Sequence, residues 1–260
     1  MIRESLLGSS LLVAFRTFDA TRTARTFVFA AVVVPVVQVL YFAAIATGPG
    51  QPPPLAVAVS SALLVTTVAA VEASTIAMTH MRFDGVLPHL LLAPRKALAA
   101  WFGMSLASAG VGVFAGLVSL ATAFALFHQV FPLAQFLAAS GLVVLIAVTS
   151  GGFGLALGVL TLPTRDGLSW IVPVLGALTV LGGIAVPVGE LPQQAQWVAR
   201  LLPISYGTDA ARGILAGECD ALLPSVLGVV AAGFGWAAIG LASWRLIERR
   251  VRIAGTVDLL

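Results

Sequence analysis

Few side chains in this sequence are able to do chemistry, and most of them stand where chemistry is difficult. Glu72 is a lone carboxylate inside a long apolar run, His80, His89 and His128 lie at the ends of such runs, Ser150 precedes Gly151-Gly152, and Cys219 is the single cysteine. A serine nucleophile needs a base at the same depth, and no histidine lies within a run to serve Ser150. The histidines are not clustered with cysteine or carboxylates, so no metal site is expected. Lys96 is the only lysine, and no G-x-x-x-x-G-K-[ST] loop surrounds it, which excludes nucleotide hydrolysis by that route. An ion-coupled carrier would carry several ionisable groups near the midplane and repeated halves, for which one off-centre Glu72 is a poor substitute. The chain is therefore not expected to be an enzyme, and any energy it uses must come from elsewhere.

The elements that position these residues are set by composition. A chain of 260 residues that is 59% hydrophobic and 10% charged, with a mean hydropathy of +1.04, lies outside the range of soluble domains. Apolar runs at 27–46, 55–79, 97–127, 133–160, 168–188 and 221–244 each reach the roughly 20 residues that cross ~30 Å of hydrocarbon as a helix. The expected fold is an all-α integral membrane protein with six spans, together filling residues 27–245. Residues 1–26 form an amphipathic interfacial helix and 246–260 a basic tail; no removable signal peptide is expected. Of the fourteen basic residues, twelve fall on the side that holds both termini and the 80–96 and 161–167 turns, against Arg200 and Arg212 on the other. The positive-inside rule then places both termini in the cytoplasm of a multi-pass plasma-membrane protein. The basic balance reflects this asymmetry and anionic lipid, so no nucleic-acid partner is implied.

Three features stand out against this background. Pro35 removes a backbone hydrogen bond near the middle of the first run and predicts a kink unless neighbours compensate. Glu72 is costly within the bilayer and is expected to face protein or water, either in a structural pair with a basic residue or along a transport path. Gly112/Gly116 and Gly154/Gly158, each four apart, allow close helix approach.

Two polar segments remain. The first, MRFDGVLPHLLLAPRK at residues 81–96, is short, basic and amphipathic. In it Gly85 can take a conformation closed to other residues, Pro88 suits a first helical turn, and Pro94 stops the helix. It reads either as a surface turn or as a hook that engages a soluble partner. The second, residues 188–220, accommodates two short helices at 193–201 and 206–215, started by Pro192 and Pro203, that lie on or dip into the outer leaflet.

Together these segments resemble the permeases of the type-2 ATP-binding-cassette (ABC) exporters. Arg82-Phe83-Asp84-Gly85 followed by Leu90-Leu91-Leu92-Ala93-Pro94 is similar to the segment after that family's second span, a charged stretch, Gly-Thr-Leu and then Leu-Leu-x-x-Pro. Val86 stands where threonine is usual and Pro88 where a polar residue is common. Leu191-Pro192, Leu202-Pro203, Ser205-Tyr206, Asp209-Ala210 and Arg212 resemble the signature before the last span, with Ile204-Ser205-Tyr206 in place of Leu-Thr-Tyr. The order of elements agrees over nearly the whole chain. The resemblance implies a docking surface of Arg82, Asp84, Gly85, Leu91, Leu92, Pro94 and Arg95 for two separate ATPase subunits, which bind ATP and Mg; this chain itself holds no cofactor. It implies an outer gate or re-entrant segment with Leu191, Pro192, Leu202, Pro203, Tyr206, Asp209 and Arg212, and a second permease, identical or related. The implied activity is ATP-driven export. The apolar spans favour a lipophilic or amphipathic drug, lipid or secondary metabolite over the polysaccharide or teichoic-acid polymer that the same topology serves.

Overall fold

A computed structural model describes residues 24–46, 55–83, 85, 97–127, 133–162, 164, 167–184, 186–217 and 219–254. The expected helix over 1–26, Asp84 and the 86–96 part of the hook, and the tail beyond 254 lie outside the described residues. Those described are almost entirely helical, with no strand among them. In chain order they form α1 (Ala24–Val28), a π-helical turn (Phe29–Val33), α2 (Val34–Ala46), α3 (Leu55–Phe83), α4 (Ala97–Phe127) and α5 (Leu133–Thr161). A 3-10 turn (Gly167–Trp170) leads into α6 (Ile171–Leu181). A second such turn (Val188–Glu190) is followed by α7 (Gln193–Ala199), α8 (Pro203–Ala216) and α9 (Cys219–Ala254). Four of these, α3, α4, α5 and α9, contain stretches long and apolar enough to cross a bilayer; α2 and α6 are shorter apolar helices.

The π-helical turn explains how Pro35 is accommodated. The Val34 N–H donates to the Phe29 carbonyl five residues back, in the widened register that a helix adopts to take up an irregularity. The turn contains Ala31, whose carbonyl, four residues before Pro35, the proline ring would otherwise press on.

The fifth apolar run, 168–188, is not one helix. It starts as a 3-10 turn, continues as α6 and stops at Gly182. Gly183 then takes φ 73°, a left-handed conformation open chiefly to glycine, and the chain runs on irregularly to Pro192. The two short helices that follow have Pro192 as the cap of α7 and Pro203 as the first residue of α8.

Helix α3 is the centre of the bundle. It packs against α4 and α5 along its length, against α2 and α6 on its sides, and against α8 near its start, while α9 lies on the far side of α5. At one end Met78, Met81, Trp101, Met104, Leu155 and Trp244 form a cluster joining α3, α4, α5 and α9. At the other, Leu63, Leu120, Val143, Ile146, Ala211 and Val229 join these helices to α8. The first will be called the Arg82 end and the second the Asp209 end.

Apolar side chains gain little by leaving lipid for one another, so these helices are held by close packing and by hydrogen bonds between them. The glycines supply the first. A Cβ on Gly112 would stand 2.9 Å from the Thr66 carbonyl oxygen, and one on Gly154 would stand 2.7 Å from the Val71 Cα. Serine and threonine supply the second. Ser74 Oγ donates to the Ala70 carbonyl at 2.7 Å in its own helix and reaches the Gly151 carbonyl of α5 at 3.1 Å. Thr75 Oγ1 likewise serves the Val71 carbonyl at 2.8 Å and the Gly154 carbonyl at 3.1 Å.

This packing predicts opposite outcomes for two glycine-to-alanine changes. Both gain roughly 1 kcal/mol of helix propensity, but Gly154→Ala drives a methyl into the Val71 backbone, whereas Gly141 has nothing within 4 Å. Gly154→Ala should lower the thermal unfolding midpoint of the purified protein in detergent, by an overpacking cost of about 1–3 kcal/mol, and Gly141→Ala should hold or raise it.

Candidate functional site

Two polar constructions interrupt the apolar bundle, one at each end. At the Arg82 end, α3 finishes at Phe83, and Gly85 donates its N–H to the Arg82 carbonyl at 3.2 Å with φ 68°. A Cβ at Gly85 would meet nothing within 4 Å, so the left-handed conformation, and not crowding, is what requires glycine there. The Arg82 side chain does not simply project outward. Its Nη1 donates to the Leu162 carbonyl at 3.0 Å and the Thr164 carbonyl at 2.7 Å, just past the end of α5. Carbonyls at a helix C-terminus have no partner within the helix and carry partial negative charge, so a guanidinium is a suitable cap for them. Arg82 thereby fastens the start of the 81–96 segment to the turn between α5 and α6. Asp84, Leu91, Leu92, Pro94 and Arg95 of the expected docking surface lie outside the described residues.

At the Asp209 end the difficulty is the irregular backbone after α6, whose carbonyls need donors wherever water is absent. Side chains provide them. Thr208 Oγ1 donates to the Gly182 carbonyl at 2.8 Å. Arg212 Nη2 donates to the Gly183 carbonyl and, at 3.4 Å, to that of Ile184. Gln196 Nε2 serves the Gly189 and Leu191 carbonyls at 2.9 and 2.7 Å, and Trp236 Nε1, from α9, serves Leu201 at 2.8 Å. Thr208 and Arg212 are one turn apart on α8, so a single helix face holds the broken end of α6.

A charge network completes this region. Arg200 Nη1 contacts Asp209 Oδ2 at 2.7 Å, Arg212 Nη1 stands 3.6 Å from Asp209 Oδ1, and the Arg200 guanidinium lies 5.0 Å from the centre of the Tyr206 ring. Burial lowers the pKa of Arg212 from its usual value, an effect partly offset by the carboxylates of Asp209 and Glu190. Tyr206 packs so closely on Gly228 of α9 that a Cβ there would collide with its ring. Leu202 and Pro203 are buried at the start of α8, Leu202 within a cluster that includes Leu178 and Ile184. The structure thus brings Leu191, Pro192, Leu202, Pro203, Tyr206, Asp209 and Arg212 into one assembly. Gln196, Arg200, Thr208 and Trp236 were not singled out from the sequence. The spacing of Thr208 and Arg212 was the available signal, but their carbonyl partners lie more than twenty residues away.

Glu72 belongs to neither construction. It is exposed on α3, flanked by half-buried Val68, Ala69 and Ile76, and makes no ion pair among the described residues.

The magnitudes separate the two arginines of the Asp209 network. Arg212→Ala leaves buried carbonyls without donors and should destabilise the protein by about 1–3 kcal/mol, read as a lower thermal midpoint. Arg200→Ala removes a partly exposed ion pair and should cost under about 1 kcal/mol.

A family model, ABC-2 type transporter, matches residues 10–216, most of the chain and both polar constructions. A search of curated proteins finds no match. The match joins an all-helical apolar bundle, with a basic elbow after its second long apolar run and a pinned irregular segment before its last helix, to the kind of membrane protein built this way. The chain belongs to the ABC-2 type transporter family, as a permease component of an ABC transporter.

Proposed function

We propose that the chain is the membrane subunit of an ATP-driven exporter, with two ATPase subunits docked at the Arg82 end and a second permease, identical or related, completing the path. The observation that carries the reading is the Arg82 clamp. One side chain ties the beginning of the 81–96 hook to the turn that leads into α6, so force applied to the hook reaches two inter-helix connections together. The charge asymmetry supports a cytoplasmic Arg82 end, since Arg25, Arg82, Arg245 and Arg249 flank helices there and the other side has only Arg200 and Arg212. In this orientation α1–α2 is the first crossing and the 3-10 turn with α6 the fifth, giving six with the four long helices.

The mechanism follows from the mechanics. ATP binding draws the two ATPase subunits together and moves the hook, Arg82 transmits that motion to the base of α6, and α3 and α6 shift against the rest. A rigid outer end, where α8 grips the broken end of α6, converts that shift into opening outward. The apolar, almost charge-free helix surfaces suit a lipophilic or amphipathic substrate taken from the cytoplasm or the inner leaflet.

Within the hook, Asp84 and Arg95 are the charged residues assigned to the ATPase subunit. In the reconstituted complex, the double change Asp84→Ala with Arg95→Ala should reduce substrate-stimulated ATP hydrolysis about tenfold, within the usual range of coupling energies, while the permease still reaches the membrane. Undiminished coupled transport would overturn the assignment.

A further inference from the structure

Helix α9 is the least buried of the four long helices. One side of it rests on α5 and α8. The opposite side is bare: Leu223, Leu227, Phe234, Ala238 and Ala242 are exposed at spacings of four and seven residues, which places them on one stripe. That stripe is apolar from Leu223 to Ala242, roughly 28 Å along the axis, and the hydrocarbon of a bilayer is ~30 Å thick. It then changes character within one turn. Arg245 and Arg249 continue the same stripe, both exposed and about 6 Å apart along the axis. They stand where a lipid-facing surface passes from acyl chains to headgroups.

The other described arginines near the helix ends have internal tasks, and these two do not. Arg82 is committed to the Leu162 and Thr164 carbonyls, and Arg200 and Arg212 to the Asp209 network. Arg245 and Arg249 form no ion pair among the described residues. Glu248, between them in sequence, is half-buried and lies off the stripe. Helix capping does not account for them either. A cation is favoured in the last turn of a helix, but α9 runs on to Ala254, which leaves Arg245 more than two turns short of its end. Leu246, 59% exposed beside Arg245, keeps the surface apolar at the level where the arginines begin, so what meets them there is continuous with lipid.

Two guanidiniums one turn apart offer paired N–H donors to phosphate oxygens, while their aliphatic stems lie along the acyl region. A zwitterionic headgroup would bring its own cation against them, which favours a headgroup of net negative charge. We propose that the last turns of α9 bind an anionic phospholipid, its phosphate held by Arg245 and Arg249 and its acyl chains lying along the apolar stripe. The site goes beyond the transporter reading; only its assignment to the inner leaflet rests on the cytoplasmic orientation of the Arg82 end.

The test uses the full permease with its co-purified ATPase subunit in dodecylmaltoside, titrated with phosphatidylglycerol or with phosphatidylcholine of the same acyl chains, and counts bound lipid by native mass spectrometry. The wild type should bind phosphatidylglycerol at least about tenfold more tightly than phosphatidylcholine. Arg245→Gln with Arg249→Gln should lose about tenfold in affinity for phosphatidylglycerol, with phosphatidylcholine binding unchanged. Arg22→Gln with Arg25→Gln removes the same charge near the other end of the chain and should stay within about threefold of wild type. Equal affinity of the wild type for the two lipids overturns the proposal. So does unchanged phosphatidylglycerol binding in the Arg245/Arg249 variant, with or without release of the ATPase subunit, or a loss that both double variants share equally. Should that variant not purify intact, Arg249→Gln alone decides by the same comparison, with a loss of about threefold expected. Binding in detergent has no sidedness. Its failure therefore leaves the cytoplasmic orientation standing, and labelling of residue 89 from outside would move the site to the outer leaflet without removing it.

Discussion

The structure depends on the close approach of α4 and α5 to α3. In a bilayer the hydrophobic effect does not press helices together, so association must come from contact and hydrogen bonding at short range. Gly112 and Gly154 let the backbones of their helices meet α3 where a methyl group would collide, and Ser74 and Thr75 then reach carbonyls on the neighbouring helix. Each such bond is modest in strength. Together they hold one buried helix at the middle of the molecule, and the other elements take their positions from it.

A second constraint shapes the two ends. Backbone that leaves the helix within an apolar protein must find donors for its carbonyls, and the chain supplies them from side chains. At the Asp209 end Thr208, Arg212, Gln196 and Trp236 do so, and at the Arg82 end Arg82 does so for the turn after α5. The arginines therefore serve the irregular connections between helices. In the proposed cycle these are the places where relative motion is transmitted or resisted.

How much of this was legible in the sequence depends on the range of the interaction. The apolar runs mark the helices because length and composition are local properties, and Pro192 and Pro203 mark the starts of α7 and α8 because a proline suits a first turn. Gly85 was readable for its conformation. Hydropathy did not show where the fifth run stops being helical, since Gly182-Gly183 is as apolar as what surrounds it and only the left-handed Gly183 turns the chain. Nor did it show that Pro35 would be met by a π-helical turn. The partners of Arg82 and Arg212 lie 80 and 28 or more residues away, and no spacing rule reaches so far. The exposure of Glu72 depends on which neighbours leave α3 uncovered, and only packing decides that.

The central claim is that the Arg82 end, with the hook that follows it, faces the cytoplasm and the ATPase subunits. The most direct measurement places a thiol at residue 89 (His89→Cys with Cys219→Ser) and labels it with a membrane-impermeant maleimide in right-side-out and inside-out vesicles. The account predicts labelling in inside-out vesicles, with protection when the ATPase subunit is bound. Labelling from the outer face of right-side-out vesicles would contradict it.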